Sequence, residues 1–179
     1  LWFPLVLPLT LRTSLSLVSG VLNSIFLELK FNTLFAIKSI RKDQILSQEM
    51  LANILEEKKI LEQTTCNFVL YLSNYFSSND RIYFVTPYIV GGDMYHYLQQ
   101  THDHRLDENA ARFILGQIAI ALQYFHDFNI VYRDLKPENI LIDEDGYIKL
   151  CDFGSALRLK DKGDTSFCGA PEYMSPEMI

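Results

Sequence analysis

Basic residues, cysteine and glycine are all scarce in this chain, and each scarcity excludes something. Lys and Arg number 16 against 22 Asp and Glu, for a net charge of −6. That balance argues against nucleic acid or an anionic membrane surface as the main partner and suits a basic peptide. The cysteines are three, Cys66, Cys151 and Cys168. An odd number without metal-ligand spacing argues against a secreted disulfide framework and fits a reducing cytosolic or nuclear compartment. Gly20 is the only glycine before Gly91, so no Gly-x-Gly-x-x-Gly phosphate loop can be drawn there. His102 and His104 flank Asp103 without further ligands nearby and read as solvated loop residues. Long apolar runs are confined to residues 1–29, where Arg12 carries the only charge before Glu28. A transmembrane helix needs about 20 mostly apolar residues, and Pro4, Pro8, Arg12 and many Ser and Thr make this stretch a poor one. A cleaved leader stays open as a second reading. With 49% hydrophobic and 21% charged residues over 179 positions, the chain is globular in type and long enough for a sizeable core in one to two small domains.

The chemistry is concentrated in residues 131–154. Arg133-Asp134-Leu135-Lys136-Pro137-Glu138-Asn139 is followed by Ile140-Leu141-Ile142, the turn Asp143-Glu144-Asp145-Gly146, Tyr147-Ile148-Lys149-Leu150, and then Asp152-Phe153-Gly154. The two apolar runs around a turn predict a β-hairpin that brings Asn139 and Asp152 together. Arg-Asp-x-Lys-Pro-x-Asn with Asp-Phe-Gly one hairpin later resembles the catalytic and metal-binding loops of a protein kinase, and the pattern is far more specific than a lone glycine motif. The resemblance implies roles. Asp134 accepts the proton of the attacking hydroxyl, Lys136 sets a point charge beside the transferred phosphoryl group and marks Ser/Thr rather than Tyr specificity, and Asn139 and Asp152 supply hard oxygen ligands for Mg²⁺.

Upstream, the alternation in residues 34–38 predicts a strand with Ala36 and Lys38 on one face. It resembles the strand that sets its Ala against the adenine and its Lys on the ATP phosphates. Residues 25–30 fit a strand before it. Residues 47–64 read as a helix with Met50, Leu51, Ile54 and Leu61 as the apolar stripe. At about 100° per residue, Glu56 points roughly 160° away from Ile54, whereas Glu57 borders the stripe. Glu57 is therefore the candidate partner of Lys38, and it also matches the Glu of the family's Glu-Lys-x-Ile-Leu helix.

Residues 68–76 and 81–88, joined by Ser77-Ser78-Asn79-Asp80, predict a strand pair. The second runs into a segment resembling the hinge between kinase lobes, with Thr86 as gatekeeper, the Pro87 carbonyl and Ile89 N–H facing adenine, Leu141 also lining the nucleotide, and Asp93 near ribose and peptide. Asp107 can cap a helix over residues 108–126 with Ala111, Ile114, Leu115, Ile118, Leu122 and Phe125 at core spacing. His126 reads as a packed structural histidine. Residues 158–177 resemble the activation segment of the AGC group, to which cyclic-nucleotide-dependent kinases belong. There Ser166 stands at the phosphorylation site, and an added phosphate would pair with Arg133. Ala170 replaces the family's usual Thr, and Asp93, Glu138 and Glu172 match acidic positions that contact arginines upstream of the acceptor.

These readings together imply an α+β, two-lobed protein-kinase-like fold, truncated at both ends. Residues 1–29 are an atypical apolar segment in place of the glycine loop, 30–90 an upper lobe and hinge, and 91–179 the first part of a lower lobe. The expected function is ATP- and Mg²⁺-dependent phosphorylation of protein Ser/Thr, with Arg preferred before the target and an upstream activating kinase as a further partner. The 179-residue chain alone is expected to be inactive and marginally folded, with Glu177 lacking its family partner. Two alternatives stay open: a pseudokinase or binding module, and an inactive truncated gene product.

Overall fold

Four antiparallel strands form the upper sheet, in the order β1 (Ser24–Lys30), β2 (Thr33–Arg41), β4 (Arg81–Pro87), β3 (Asn74–Ser77). The computed structural model describes residues 24–30, 33–159 and 169–175, with side chains described from Leu34 onward. Strand β1 (Ser24–Lys30) pairs with β2 (Thr33–Arg41), which pairs in turn with β4 (Arg81–Pro87) so that Ala36 faces Thr86 and Lys38 faces Phe84. The β4 sequence Arg-Ile-Tyr-Phe-Val-Thr-Pro is aromatic and β-branched, and its Ile82 and Phe84, two apart, both turn into the core. Pro87 has no N–H to give a ladder and stands at the strand's end.

Strand β3 is only Asn74–Ser77, shorter than the expected 68–76. The missing part pairs elsewhere. Val69 bridges Leu150 in parallel, with Leu70 N–H donating to the Leu150 carbonyl at 2.9 Å and Leu150 N–H to the Phe68 carbonyl at 2.9 Å. Val69 and Leu70 are consecutive and both buried. A run buried on both faces can serve two layers, so periodicity in the sequence cannot say which partner it takes.

Helix α1 (Gln48–Gln63) starts where Ser47 Oγ accepts the Met50 N–H at 3.0 Å. It buries Ile54, Glu57, Ile60 and Leu61, whereas Leu51, expected in the stripe, is exposed. Geometry explains this: Glu57, Ile60 and Leu61 all lie to one side of Ile54, and Leu51 lies on the other, about 100° from their centre. Helix α2 (Met94–Gln100) follows, capped by the Asp93 carboxylate on the His96 N–H at 2.9 Å. This helix is not among those expected from the sequence, where Asp93 stands only as a site residue.

Helix α3 (Glu108–Asp127) is capped by Asp107 as expected, its carboxylate accepting the Ala110 N–H at 2.9 Å. Its core face is Ile114, Gln117, Ile118, Ala121 and Phe125. Leu115, expected in that face, stands about 100° from Ile114 and is 62% exposed. His126 is exposed rather than packed, and lines a hollow beside residues 131–135 with Leu122, Tyr132 and Met174. The short strands β5 (Ile130–Val131) and β8 (Leu157–Arg158) pair, as do β6 (Ile140–Ile142) and β7 (Ile148–Leu150). Phe125 packs on Phe153 at 5.2 Å between ring centroids, and Phe153 on Tyr132 at 5.3 Å, directly under the loops that carry the polar site. Each fully buried Phe is worth about 1.5–3 kcal/mol of burial, with more from the ring contacts. The α+β class holds, with the sheet and α1 above and α2, α3 and the short hairpins below. Among the described residues, no helix is long and apolar enough to cross a membrane.

Candidate active site

Three chain segments meet at Lys38. Strand β2 delivers its ammonium, which donates to Glu57 Oε1 at 2.7 Å and to Asp152 Oδ1 at 3.2 Å. Glu57 comes from the buried face of α1, and Asp152 from the loop after β7. Burial alone would lower the Lys38 pKa, but the Glu57 and then the Asp152 carboxylate outweigh it and hold the ammonium charged, above its usual range. Burial also opposes ionisation of Asp152, and Lys38 overcomes it, holding that carboxyl below its usual range.

Residues 134–139 close a second ring. Lys136 Nζ lies 2.9 Å from Asp134 Oδ2, and Asn139 Nδ2 donates at 2.8 Å both to that oxygen and to the Asp134 backbone carbonyl. Asn139 is buried; its own carbonyl accepts the Cys151 N–H at 3.0 Å, which fixes the loop one residue before Asp152. The Tyr132 hydroxyl donates to the Cys151 carbonyl from below. Arg133 (φ 64°) and Asp152 (φ 54°) both occupy the left-handed region that non-glycine residues seldom use. Such strain persists only where surroundings impose it, and here it sits beside Asp134 and at Asp152.

Asp152, with its side chain about half exposed, and Asn139 offer hard oxygens on adjoining segments. That donor set fits Mg²⁺, which takes one or two protein ligands and keeps waters and phosphates. Among the described residues no group of three or more His, Cys, Asp or Glu could form a metal cage. The nucleotide-lining candidates fall into two pairs: Ala36 faces Thr86 across the sheet, and Leu141 bridges Asp93. Tyr88 N–H donates to the Leu34 carbonyl at 3.1 Å, toward β2; in extended chain the neighbouring groups, Pro87 C=O and Ile89 N–H, then turn the other way. A Cβ at Gly91 would lie 2.3 Å from the Ile142 carbonyl oxygen, so only glycine lets the hinge approach β6 this closely.

The remaining candidates are more dispersed. Asp93 is engaged by His96, whose Nδ1 lies 2.7 Å from Oδ2. Glu138 and Glu172 are exposed. Arg133 Nε donates to the Ser155 carbonyl at 2.8 Å. Gly169 (φ 113°) brings the chain beside Ala170 close to the Arg133 carbonyl, where a Cβ would sit at 2.4 Å. Ser166 and Glu177 lie outside the described residues. Sequence reading did not find the His96 contact, nor an ion pair from Arg158 Nε to Glu56 Oε1 at 3.0 Å.

Residues 19–179 match the protein kinase domain family, and the chain belongs to it. It is 42% identical over 148 residues to the serine/threonine protein kinase ypkA of Aspergillus fumigatus, covering 82% of this chain and 23% of that protein. It is 42% identical over 147 residues to the serine/threonine-protein kinase YPK1 of Saccharomyces cerevisiae, covering 81% and 21%. With the cAMP-dependent protein kinase catalytic subunit 2 of Drosophila melanogaster it is 37% identical over 145 residues, covering 81% and 40%. Kinship with a cAMP-dependent kinase agrees with the AGC resemblance of the activation segment. The chain thus spans about a fifth to two fifths of the length of these relatives.

Proposed function

We propose that the protein transfers the γ-phosphate of ATP to Ser or Thr hydroxyls of protein substrates. The observation that carries this reading is Lys38 held between Glu57 and Asp152, with Asp134, Lys136 and Asn139 locked together on the adjoining loop. Asp134 takes the proton from the attacking hydroxyl; Lys136 orients that carboxylate and places positive charge beside the transferred group. Lys38, steadied by Glu57, binds the α- and β-phosphates. Asn139 and Asp152 would hold Mg²⁺, which when bound neutralises phosphate charge. Ala36, Thr86, Leu141 and the Pro87 and Ile89 backbone surround the adenine, and Asp93 lies at the ribose.

The division into an upper lobe and hinge (residues 30–90) and the start of a lower lobe (91–179) follows from this reading. Asp93, Glu138 and Glu172 are read as a patch for arginines upstream of the target, since carboxylates pair with guanidinium directionally. Phosphorylation of Ser166 by an upstream kinase would supply an anion for Arg133. The test is phosphate transfer from radiolabelled ATP to a Ser/Thr peptide array by the purified full-length protein, with Asp134→Asn and Lys38→Met alongside. Transfer abolished in both, with Arg enriched before the acceptor, supports the reading; wild-type protein that binds Mg·ATP without transfer, or a profile dominated by Pro or acidic residues, overturns the activity or the preference.

A further inference from the structure

Glu56 sits next to Glu57 on α1, about 100° round the helix from it, and it does not end in solvent. Its carboxylate reaches Arg158 Nε at 3.0 Å, across 102 residues of chain. Arg158 lies on β8, four residues after Gly154, and is paired in register with Ile130 of β5, the strand that leads into Arg133 and Asp134. The same guanidinium donates through Nη1 to the Phe128 carbonyl at 3.3 Å, at the C-terminal end of α3. Both side chains are mostly covered, Glu56 22% and Arg158 34% exposed. Burial would raise the Glu56 pKa, but Arg158 first and Lys59 after it hold the carboxylate below its usual range. Among the described residues, Lys38–Asp152 and Glu56–Arg158 are the two ion pairs that join the upper elements to the segment following β7.

We propose that Glu56 and Arg158 form a positioning pair that fixes the rotation of α1, so that Glu57 stays on Lys38 while the strand after Asp-Phe-Gly stays on β5. The reasoning is geometric. Successive residues on a helix point about 100° apart, so Glu56 and Glu57 anchor α1 along two different directions. Holding both fixes the helix about its own axis, which a single contact cannot do. Neither residue touches substrate; the pair acts through Lys38 and Glu57. It rests on the kinase reading of that site for its effect on turnover, but its effect on α1 does not.

The experiment is carried out on the full-length protein with Glu56→Gln, Arg158→Met, and the exchange of the two charges, Glu56→Arg with Arg158→Glu. Two measurements are made on each: hydrogen exchange of peptides covering residues 48–63, and kcat and KM for ATP. Each single variant is expected to speed exchange in that helix at least threefold and to lower kcat/KM for ATP three- to tenfold, while the exchanged pair returns to within about threefold of wild type. Lys59→Met removes the other cation near Glu56, at 3.4 Å, and should change neither measurement. Unchanged exchange in both single variants, or an exchanged pair no better than either, overturns the proposal. Wild-type protein without transfer activity would instead count against the kinase reading, and the exchange data would still decide the pair.

Discussion

Gln117 on α3 holds strand β7 by its backbone: Gln117 Oε1 accepts the Ile148 N–H at 2.9 Å while its Nε2 donates to the Phe113 carbonyl at 3.2 Å. Both Gln117 and Ile148 are buried, so the amide fills a gap in the β7 ladder where water has no access. Strand β7 leads directly into Asp152. Gln117→Leu keeps the volume but orphans the Ile148 N–H, which costs about 1–3 kcal/mol. Thermal unfolding of the variant should shift down by several degrees, and an unchanged midpoint would show that the N–H finds another partner.

Asp134 and Asp152 are both carboxylates in one site, but they should fail differently. Asp134 is tied to Lys136 and Asn139, and Asp134→Asn keeps that geometry while losing the proton acceptor. Transfer should fall by at least a hundredfold, the contribution expected of a general base, with fluorescent-nucleotide affinity within about threefold. Asp152→Asn removes a proposed Mg²⁺ ligand and one of the two carboxylates on Lys38. Its nucleotide binding should lose its Mg²⁺ dependence, which titration with and without the metal reads directly.

Much of this site was legible in the sequence because it rests on local rules. Helical angle selects Glu57 over Glu56, and the structure sets Glu57 at 2.7 Å from Lys38; the apolar runs around Asp143–Gly146 form the hairpin that brings Asn139 and Cys151 into contact. What periodicity could not supply was the choice between partners. Leu51 and Leu115 each lie about 100° off their stripes, an angle at which a sequence reads apolar and a fold leaves the residue exposed. The pairing of residues 68–70 with β7, the Gln117 bond to Ile148 and the Glu56–Arg158 pair all join segments far apart in the chain. No local pattern encodes them.

Gly91 is expected to tolerate no side chain. A Cβ there meets the Ile142 carbonyl oxygen at 2.3 Å, backbone against backbone, so Gly91→Ala must push the hinge off β6. Overpacking of this kind costs about 1–3 kcal/mol, and because Leu141 and Asp93 bridge at the same place, nucleotide affinity should fall with it. Gly146 on the hairpin turn (φ 81°) has open space around it. Gly146→Ala carries only the left-handed penalty of about 1–2 kcal/mol and should leave nucleotide affinity intact; equal affinity loss in both variants would refute the contrast.

Cys151 tests the electrostatics next to Asp152 without any nucleotide. Burial, and after it the negative charge of Asp152, pushes the thiol up to about 12, and its Sγ lies 3.5 Å from the Asn139 carbonyl oxygen that it donates to. The residue as a whole is half-buried. The folded pKa lies above the ordinary value of about 8.5; the neutral thiol is the form that the fold favours. The resulting stability is complete below about pH 8.5 and is lost progressively as pH rises toward 12. At pH 9 the thiolate fraction is far below that of a free cysteine, and the greater intrinsic nucleophilicity of a high-pKa thiolate returns part of the difference. Iodoacetamide should therefore modify Cys151 at least tenfold more slowly in the native protein than in urea, read by mass spectrometry of the Cys151 peptide. Substituting Asp152→Asn removes the neighbouring charge and should speed native alkylation. A native rate equal to that in urea would mean that the thiol ionises freely and that the environment assigned to Asp152 is wrong.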